Sequence, residues 1–228
     1  MAPTQKLIND GNAAVDEMLT GILAAHPNHL WRPGHAPRAV ISKHGPRPGK
    51  VALVIGGGSG HEPTFLGFVG KGLADAAAIG NVFASPPPQP AVDAALASHG
   101  GAGVLFMYGN YAGDVMNFDM ACEVLEMEGV EARTVLTTDD IASAPVDQKQ
   151  KRRGVAGNGI GGRHRPCRLD AGPALAAGRP AGSGDRGRMA ACARSRRVLG
   201  ACGTALFFRA EVTRRFISFR TKRRSCTE

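Results

Sequence analysis

The chain has 228 residues, 43% of them hydrophobic, and a formal net charge of +9. That length admits one large domain or two small ones, and no apolar run reaches the roughly 20 residues that a membrane-spanning helix needs. The amino terminus, Met1-Ala2-Pro3-Thr4-Gln5-Lys6, lacks the apolar core of a secretory signal, so a cytoplasmic setting is expected.

The net charge hides two compositions. Up to Asn158 there are 12 Lys and Arg against 15 Asp and Glu, a net −3; from Gly159 onward the balance is 16 against 4, a net +12. The first part has six Arg and six Lys, the second fifteen Arg and one Lys, and four of the five cysteines (Cys167, Cys192, Cys202, Cys226) lie in the second.

In chain order, Leu7, Ile8, Val15, Met18, Leu19, Ile22 and Leu23 recur at helical spacing, which predicts an amphipathic helix over about 11–25. Residues 26–48 are rich in proline, histidine and basic side chains. They read as an irregular entry segment with a short strand at Ala39-Val40-Ile41. His26, His29, His35 and His44 have no Cys or acidic residue at ligand spacing, so they are expected to be solvated loop histidines rather than a metal site.

Val51-Ala52-Leu53-Val54-Ile55 has the length and type of a buried parallel strand. Gly56-Gly57-Gly58-Ser59-Gly60 follows at once. Such a run lets the backbone turn sharply and approach a ligand closely, because no Cβ intervenes. His61, Glu62 and Pro63 come next, and a proline suits the first turn of a helix. The familiar glycine motifs do not fit. A dinucleotide fingerprint from Gly56 needs glycine at His61, a P-loop needs Gly-Lys-Ser/Thr, and a nucleophile elbow at Ser59 again needs glycine at His61. What remains is an imidazole at the carboxyl end of a strand, where ligands sit in open α/β sheets.

Beyond the loop, a short helix is predicted over 64–73, then an apolar segment at Ala76–Ile79 and a stiff loop where Asn81-Val82-Phe83-Ala84-Ser85 meets Pro86-Pro87-Pro88. Ala91–Ser98 reads as helix. Val104-Leu105-Phe106-Met107-Tyr108 repeats the buried-strand pattern and leads into a second loop, Gly109 to Asp114. A helix over Val115–Met127 is expected to turn Met116, Ala121, Val124 and Leu125 inward. Asp114 is expected at its N-cap, where the free amides and helix dipole favour a carboxylate; a role in binding is compatible with that. Ala132–Thr137 reads as a third strand.

Strands near 51, 104 and 133 separated by helices predict an α/β fold: a mixed, largely parallel sheet with helices on both faces. Both loops should then open on one edge of the sheet, bringing His61 and Asp114 to one pocket beside glycine amides. An imidazole and a carboxylate so placed suit hydrogen-bonding a small polyhydroxylated or carbonyl compound and taking a proton from its hydroxyl.

Several segments carry a family resemblance: Lys6-Leu7-Ile8-Asn9-Asp10, Gly56 to Pro63, Asn81 to Pro86, Asn110 to Asp114 with Asn117-Phe118, and Arg152 to Asn158. Together, over about residues 5–158, they resemble the substrate-binding K domain of dihydroxyacetone (glycerone) kinases. The resemblance implies a usually dimeric α/β protein that holds a short-chain ketose for phosphorylation of its terminal hydroxyl. It implies substrate contacts from Gly57, Gly58, Ser59, Gly60 and His61, and from Gly109 and Asp114 in the second loop. His61 and Asp114 are its candidate proton-transfer groups. It further implies that no cofactor is bound by this chain, the donor being ATP-Mg or a phosphoryl-carrier protein held on a nucleotide-binding L-type partner. Phosphoryl transfer depends on positioning and charge stabilisation more than on covalent chemistry by the protein.

The chain departs from the family pattern in two ways. Gly109 stands where many members have lysine, which removes a side-chain contact or suits a related substrate such as a four-carbon ketose. Nothing past Asn158 resembles the family's later histidine motif, whose imidazole bonds covalently to the substrate carbonyl; His164, in Gly-Gly-Arg-His-Arg-Pro, is not assigned that role. Residues 159–228 form an Arg/Gly/Pro-rich tail without amphipathic period. A basic nucleic-acid arm would have such a charge. The skew to Arg, the scattered cysteines and the onset directly after a family motif favour translation of a GC-rich gene in a shifted frame. On that reading the K-type domain is incomplete, and it is either a kinase domain or a non-catalytic sugar-binding module.

Overall fold

The computed structural model describes residues 8–157. The elements are α1 (Ala14–Ala25), β1 (Leu30–Trp31), β2 (Ala39–Ser42), β3 (Ala52–Ser59), β4 (Ala76–Val82), α2 (Pro88–Ser98), β5 (Val104–Gly109), α3 (Ala112–Met127) and β6 (Ala132–Thr137). A single 3-10 turn occurs at Leu66–Phe68, and Val146–Lys151 is 3-10 with a kink at Gln148.

One six-stranded sheet runs in the order β1-β2-β4-β3-β5-β6. β4, β3, β5 and β6 are mutually parallel, and β1 and β2 are added antiparallel on the β4 side. The central strands read as continuous apolar runs because both their faces are covered. On one face Val15 and Leu19 of α1 pack with Val40, Ile55, Ala77, Ile79 and Met107. On the other, Val92 and Ala95 of α2 and Phe118 and Leu125 of α3 pack with Ile41, Val54, Ala78, Phe106 and Tyr108. The expected fold class, a mixed and mostly parallel sheet with helices on both faces, therefore holds.

Phe118 anchors α3 to the sheet. Its ring stacks on Tyr108 at 4.2 Å and meets Phe106 edge-on at 5.2 Å, both favoured arrangements for aromatic pairs. The sheet has no Cβ at Gly56, and one there would lie 2.8 Å from Phe118 Cζ and 2.6 Å from the Ala78 carbonyl. A glycine at this position thus lets the helix seat down.

Local expectations are corrected at four places. The helix predicted over 64–73 is one 3-10 turn, because Phe65 sits at φ 64° and Gly72 at φ 77°. β3 does not end at Ile55 but runs on through the glycines to Ser59, pairing with β4 as far as Val82. The entry segment contains the strand β1, paired with β2. On α3, Met116 is 61% exposed, whereas Phe118, Ala121 and Leu125 are buried. The helix starts at Ala112, so its inward face is set by Asp114 and Phe118 rather than by a start at Val115. The tail reading falls on residues that lie outside the described ones. Among the described residues, no helix is long and apolar enough to cross a membrane.

Candidate functional site

Three loops meet at the carboxyl ends of β3, β4 and β5, and hydrogen bonds between them leave little freedom. The Ser59 hydroxyl donates to the Gly80 carbonyl at 2.8 Å, and the Phe83 amide donates to the Ser59 carbonyl at 2.8 Å. Gly58 lies so close to the β4 loop that a Cβ would stand 2.8 Å from both N and O of Ala84. Gly60 turns at φ 95°, with the Phe83 ring where a side chain would go.

His61 is exposed at the mouth of this turn. Its ring meets Phe83 at 5.2 Å and Phe65 at 6.4 Å, both edge-on. Among the described residues, those two aromatics are the non-glycine residues with positive φ, 64° at Phe65 and 53° at Phe83. Such a backbone costs a bulky residue about 1–3 kcal/mol and persists where its surroundings enforce it, most often at functional sites. The strain here flanks the imidazole on both sides.

Asp114 arrives from the second loop. It lies inside the first turn of α3, the N-cap being Tyr111, so the expected capping role is corrected. Asp114 is only 8% exposed, and among the described residues its Oδ1 has no hydrogen-bond partner. Burial pushes its pKa above the usual carboxylate value, while the Ser85 hydroxyl and the His61 imidazole pull it partly back. His61 follows β3 and Asp114 follows β5, and these adjacent parallel strands bring both residues to one edge of the sheet. Ser85 is held in turn by Asn117, whose amide donates to its Oγ at 3.1 Å and to the Pro86 carbonyl at 2.8 Å. Gly113 passes directly under Ser85, at 3.3 Å from an added Cβ to the serine Cβ.

Gly109 ends β5, buried, with the Gly154 carbonyl and the Tyr111 ring each 3.0 Å from the position of a Cβ. Asn110 fixes the loop by donating to the carbonyls of Gln150 at 3.1 Å and Arg152 at 2.8 Å. Thus the segment from 150 to 154 braces the second loop from outside. An open hollow of about 630 Å³ between them is lined by Asn110, Tyr111, Met116, Lys151 and Arg153, but not by His61 or Asp114.

The structure therefore gathers Gly58, Ser59, Gly60 and His61 with Asp114 at one sheet edge. Ser59 turns its hydroxyl into the structure, so only its backbone faces outward contacts. Phe65, Phe83, Ser85 and Asn117 shape the site and were not singled out from sequence. Phe83, Ser85 and Asn117 stand in segments quoted for the family likeness, yet nothing in their spacing marks a role. The four entry-segment histidines are exposed. His29 and His44 lie 6.1 Å apart, and among the described residues no group of three or more His, Cys, Asp or Glu could hold a metal ion.

A glycine turn, an imidazole and a buried carboxylate thus lie at the carboxyl edge of a parallel sheet in an α/β domain, the edge where ligands sit in open sheets of this class. The chain belongs to the Dak1 domain family, which it matches over residues 20–161. It is 49% identical over 154 residues to a dihydroxyacetone-binding subunit, DhaK, of a PTS-dependent dihydroxyacetone kinase from Listeria innocua, covering 68% of this chain and 46% of that protein. It is 50% identical over 153 residues to D-erythrulose kinase from Mycolicibacterium smegmatis, covering 67% of this chain and 26% of that one. The fold matches the crystal structure of the dihydroxyacetone kinase of C. freundii with TM-score 0.64 and 35% identity, over 70% of this chain and 29% of that one. The chain thus spans about half or less of the length of these relatives.

Proposed function

We propose that this chain is the substrate-binding domain of a dihydroxyacetone-kinase-type phosphotransferase. It would hold a short-chain 2-ketose, dihydroxyacetone or a four-carbon analogue, and present its terminal hydroxyl to a phosphoryl donor. The observation that carries this is the buried Asp114 Oδ1, without a hydrogen-bond partner among the described residues, at the sheet edge that also carries His61. A buried acceptor lacking a donor costs free energy unless a ligand satisfies it.

In this reading the Asp114 carboxylate accepts a hydrogen bond from the terminal hydroxyl. As that oxygen attacks the donor phosphorus and the bond to the leaving group breaks, its proton passes to Asp114. Burial raises the basicity of the carboxylate, which favours that transfer. His61 donates a second hydrogen bond to the substrate, and backbone groups of Gly57, Gly58, Ser59 and Gly60 form the wall, with the backbone of Gly109 at the floor. The donor, ATP-Mg or a phosphorylated carrier protein, sits on an L-type partner. The domain works in the cytoplasm, and a homodimer is the assembly the family pattern suggests. Residues 5–158 make up the domain.

Isothermal titration of the full chain with dihydroxyacetone and with erythrulose tests the site. Asp114→Ala and His61→Ala are expected to weaken binding by roughly tenfold or more, the worth of one charge-assisted hydrogen bond. Unchanged affinity in both variants would remove these residues from the site. A coupled assay with a donor partner added then tests catalysis, because ketose binding without turnover would make the chain a non-catalytic sugar-binding module.

A further inference from the structure

Asp114 and Asn117 stand three residues apart on α3, so both project from the same side of the helix. Ser85, delivered by the loop after β4, lies against that side: a Cβ at Gly113 would come within 3.3 Å of the serine Cβ. The backbone of this loop is fixed without help from α3. The Ala84 amide donates to the Asn81 carbonyl at 3.1 Å and the Phe83 amide to the Ser59 carbonyl at 2.8 Å, and a Cβ at Gly80 would lie 2.7 Å from the Pro86 nitrogen. What the backbone leaves open is the direction of the Ser85 hydroxyl hydrogen, since a serine Oγ can both donate and accept.

Asn117 settles that direction. Its amide nitrogen lies 2.8 Å from the Pro86 carbonyl oxygen and 3.1 Å from Ser85 Oγ. A carbonyl only accepts, so the nitrogen of the amide, not its oxygen, must face this pair. Ser85 Oγ is therefore an acceptor towards Asn117, and its own hydrogen must go elsewhere. One outlet is the Pro86 carbonyl at 3.3 Å. That is long for a hydroxyl donor, and the same oxygen already takes the Asn117 amide at 2.8 Å. The other outlet is the Asp114 carboxyl, on which the Ser85 hydroxyl acts and whose charged form it favours. An ionised acceptor makes the stronger bond.

We propose that Asn117 is a positioning residue: by donating to Ser85 Oγ it turns the serine hydroxyl towards the Asp114 carboxylate. Its use to the ketose rests on Asp114 accepting the substrate hydroxyl, as the proposed function has it. The titratable groups coupled to Asp114 are His61, from the loop after β3, and Tyr108 of β5. The tyrosine stays protonated, because burial pushes its pKa up. Both groups are retained in every variant below, so a change in the Asp114 titration reports the serine hydroxyl.

The full chain, carbon-13-labelled at its aspartate carboxyls, lets the Asp114 titration be followed by NMR without ligand, its signal being the one lost in Asp114→Asn. Asn117→Ala should raise the midpoint by about half a pH unit to one unit, the worth of one hydrogen bond to the charged form. Ser85→Ala should raise it by a similar amount. The double variant should go no further than Ser85→Ala alone, because the amide acts through the serine. Asn117→Leu keeps the shape without the donor and gives the same reading where the alanine variant does not fold. Dihydroxyacetone affinity, titrated over the same pH range, should weaken on acidification at a pH raised by the same shift. A midpoint unmoved in a folded Asn117 variant overturns the proposal, and so does a shift that adds in full to that of Ser85→Ala. A midpoint that moves as expected, with dihydroxyacetone affinity indifferent to Asp114→Ala, upholds the positioning role and removes Asp114 from the ketose site instead.

Discussion

Asp114 shows how little of a residue's chemistry its identity conveys. The second-loop motif marks it from sequence, but not that its carboxyl is buried or that one oxygen lacks a donor. Depth depends on the three-residue difference between a helix starting at Ala112 and one starting at Val115, and on Ser85, which arrives from another strand. Because burial raises its pKa in the fold, the folded state binds a proton more readily than the unfolded chain. Stability therefore falls as pH rises from the unfolded value of 3.8 through the raised one. The cost is absent below that window and fully present above it. Asp114→Asn removes the charge, so its melting temperature at pH 7 should exceed that of the parent, while ketose binding drops. A variant less stable than the parent at pH 7 would show that the carboxylate is better solvated than its burial indicates. Phe83 is the companion case. Phe83→Gly relieves a backbone at φ 53° but removes the ring beside His61. Ketose affinity should fall with no loss of thermal stability, a split that titration and calorimetry on one sample would resolve.

At the scale of elements, what was legible followed hydrophobic content. The runs at 51–55, 104–108 and 132–137 announce buried strands, since their apolar residues have few alternatives to the sheet interior. The glycine run was less transparent. Glycine is a poor strand former, yet β3 continues to Ser59 because the neighbouring β4 loop supplies hydrogen bonds and leaves no room for side chains. Tertiary packing decided what propensity could not. Met116 erred in the same way: apolar residues on both sides of α3 cannot by themselves say which side the sheet takes, and Phe118 decides it by stacking on Tyr108. This makes Gly56 a packing residue rather than a ligand contact. Gly56→Ala would put a methyl 2.6 Å from the Ala78 carbonyl and 2.8 Å from Phe118. Because backbone must yield, the loss should be about 2 kcal/mol or more, read as a lower urea midpoint. An alanine variant with an unchanged midpoint would mean that α3 can lift from the sheet without penalty.

For the whole molecule, the strand order sets where the fold is vulnerable. Among the described residues the sheet has two edges, β1 and β6. β1 is two residues long, too short to template another strand. β6 has six residues, pairs with β5 alone among the described strands, and carries Leu136, 36% exposed. Ile141 and Val146 follow it at 73% and 70% exposure. An edge of this length with apolar side chains invites pairing with another chain, and a lysine on it is the usual protection. Leu136 stands opposite Tyr108 in register, on the strand two places from β3, which leads into the His61 loop, so altering it need not touch the ketose site. Leu136→Lys is therefore expected to reduce concentration-dependent light scattering while leaving ketose affinity as it was. If scattering is unchanged but affinity falls, β6 is an internal support of the second loop, through Thr137 and Asn110, and the association surface lies elsewhere. The two readouts separate because the exposed edge of β6 and its end at Thr137 answer to different partners.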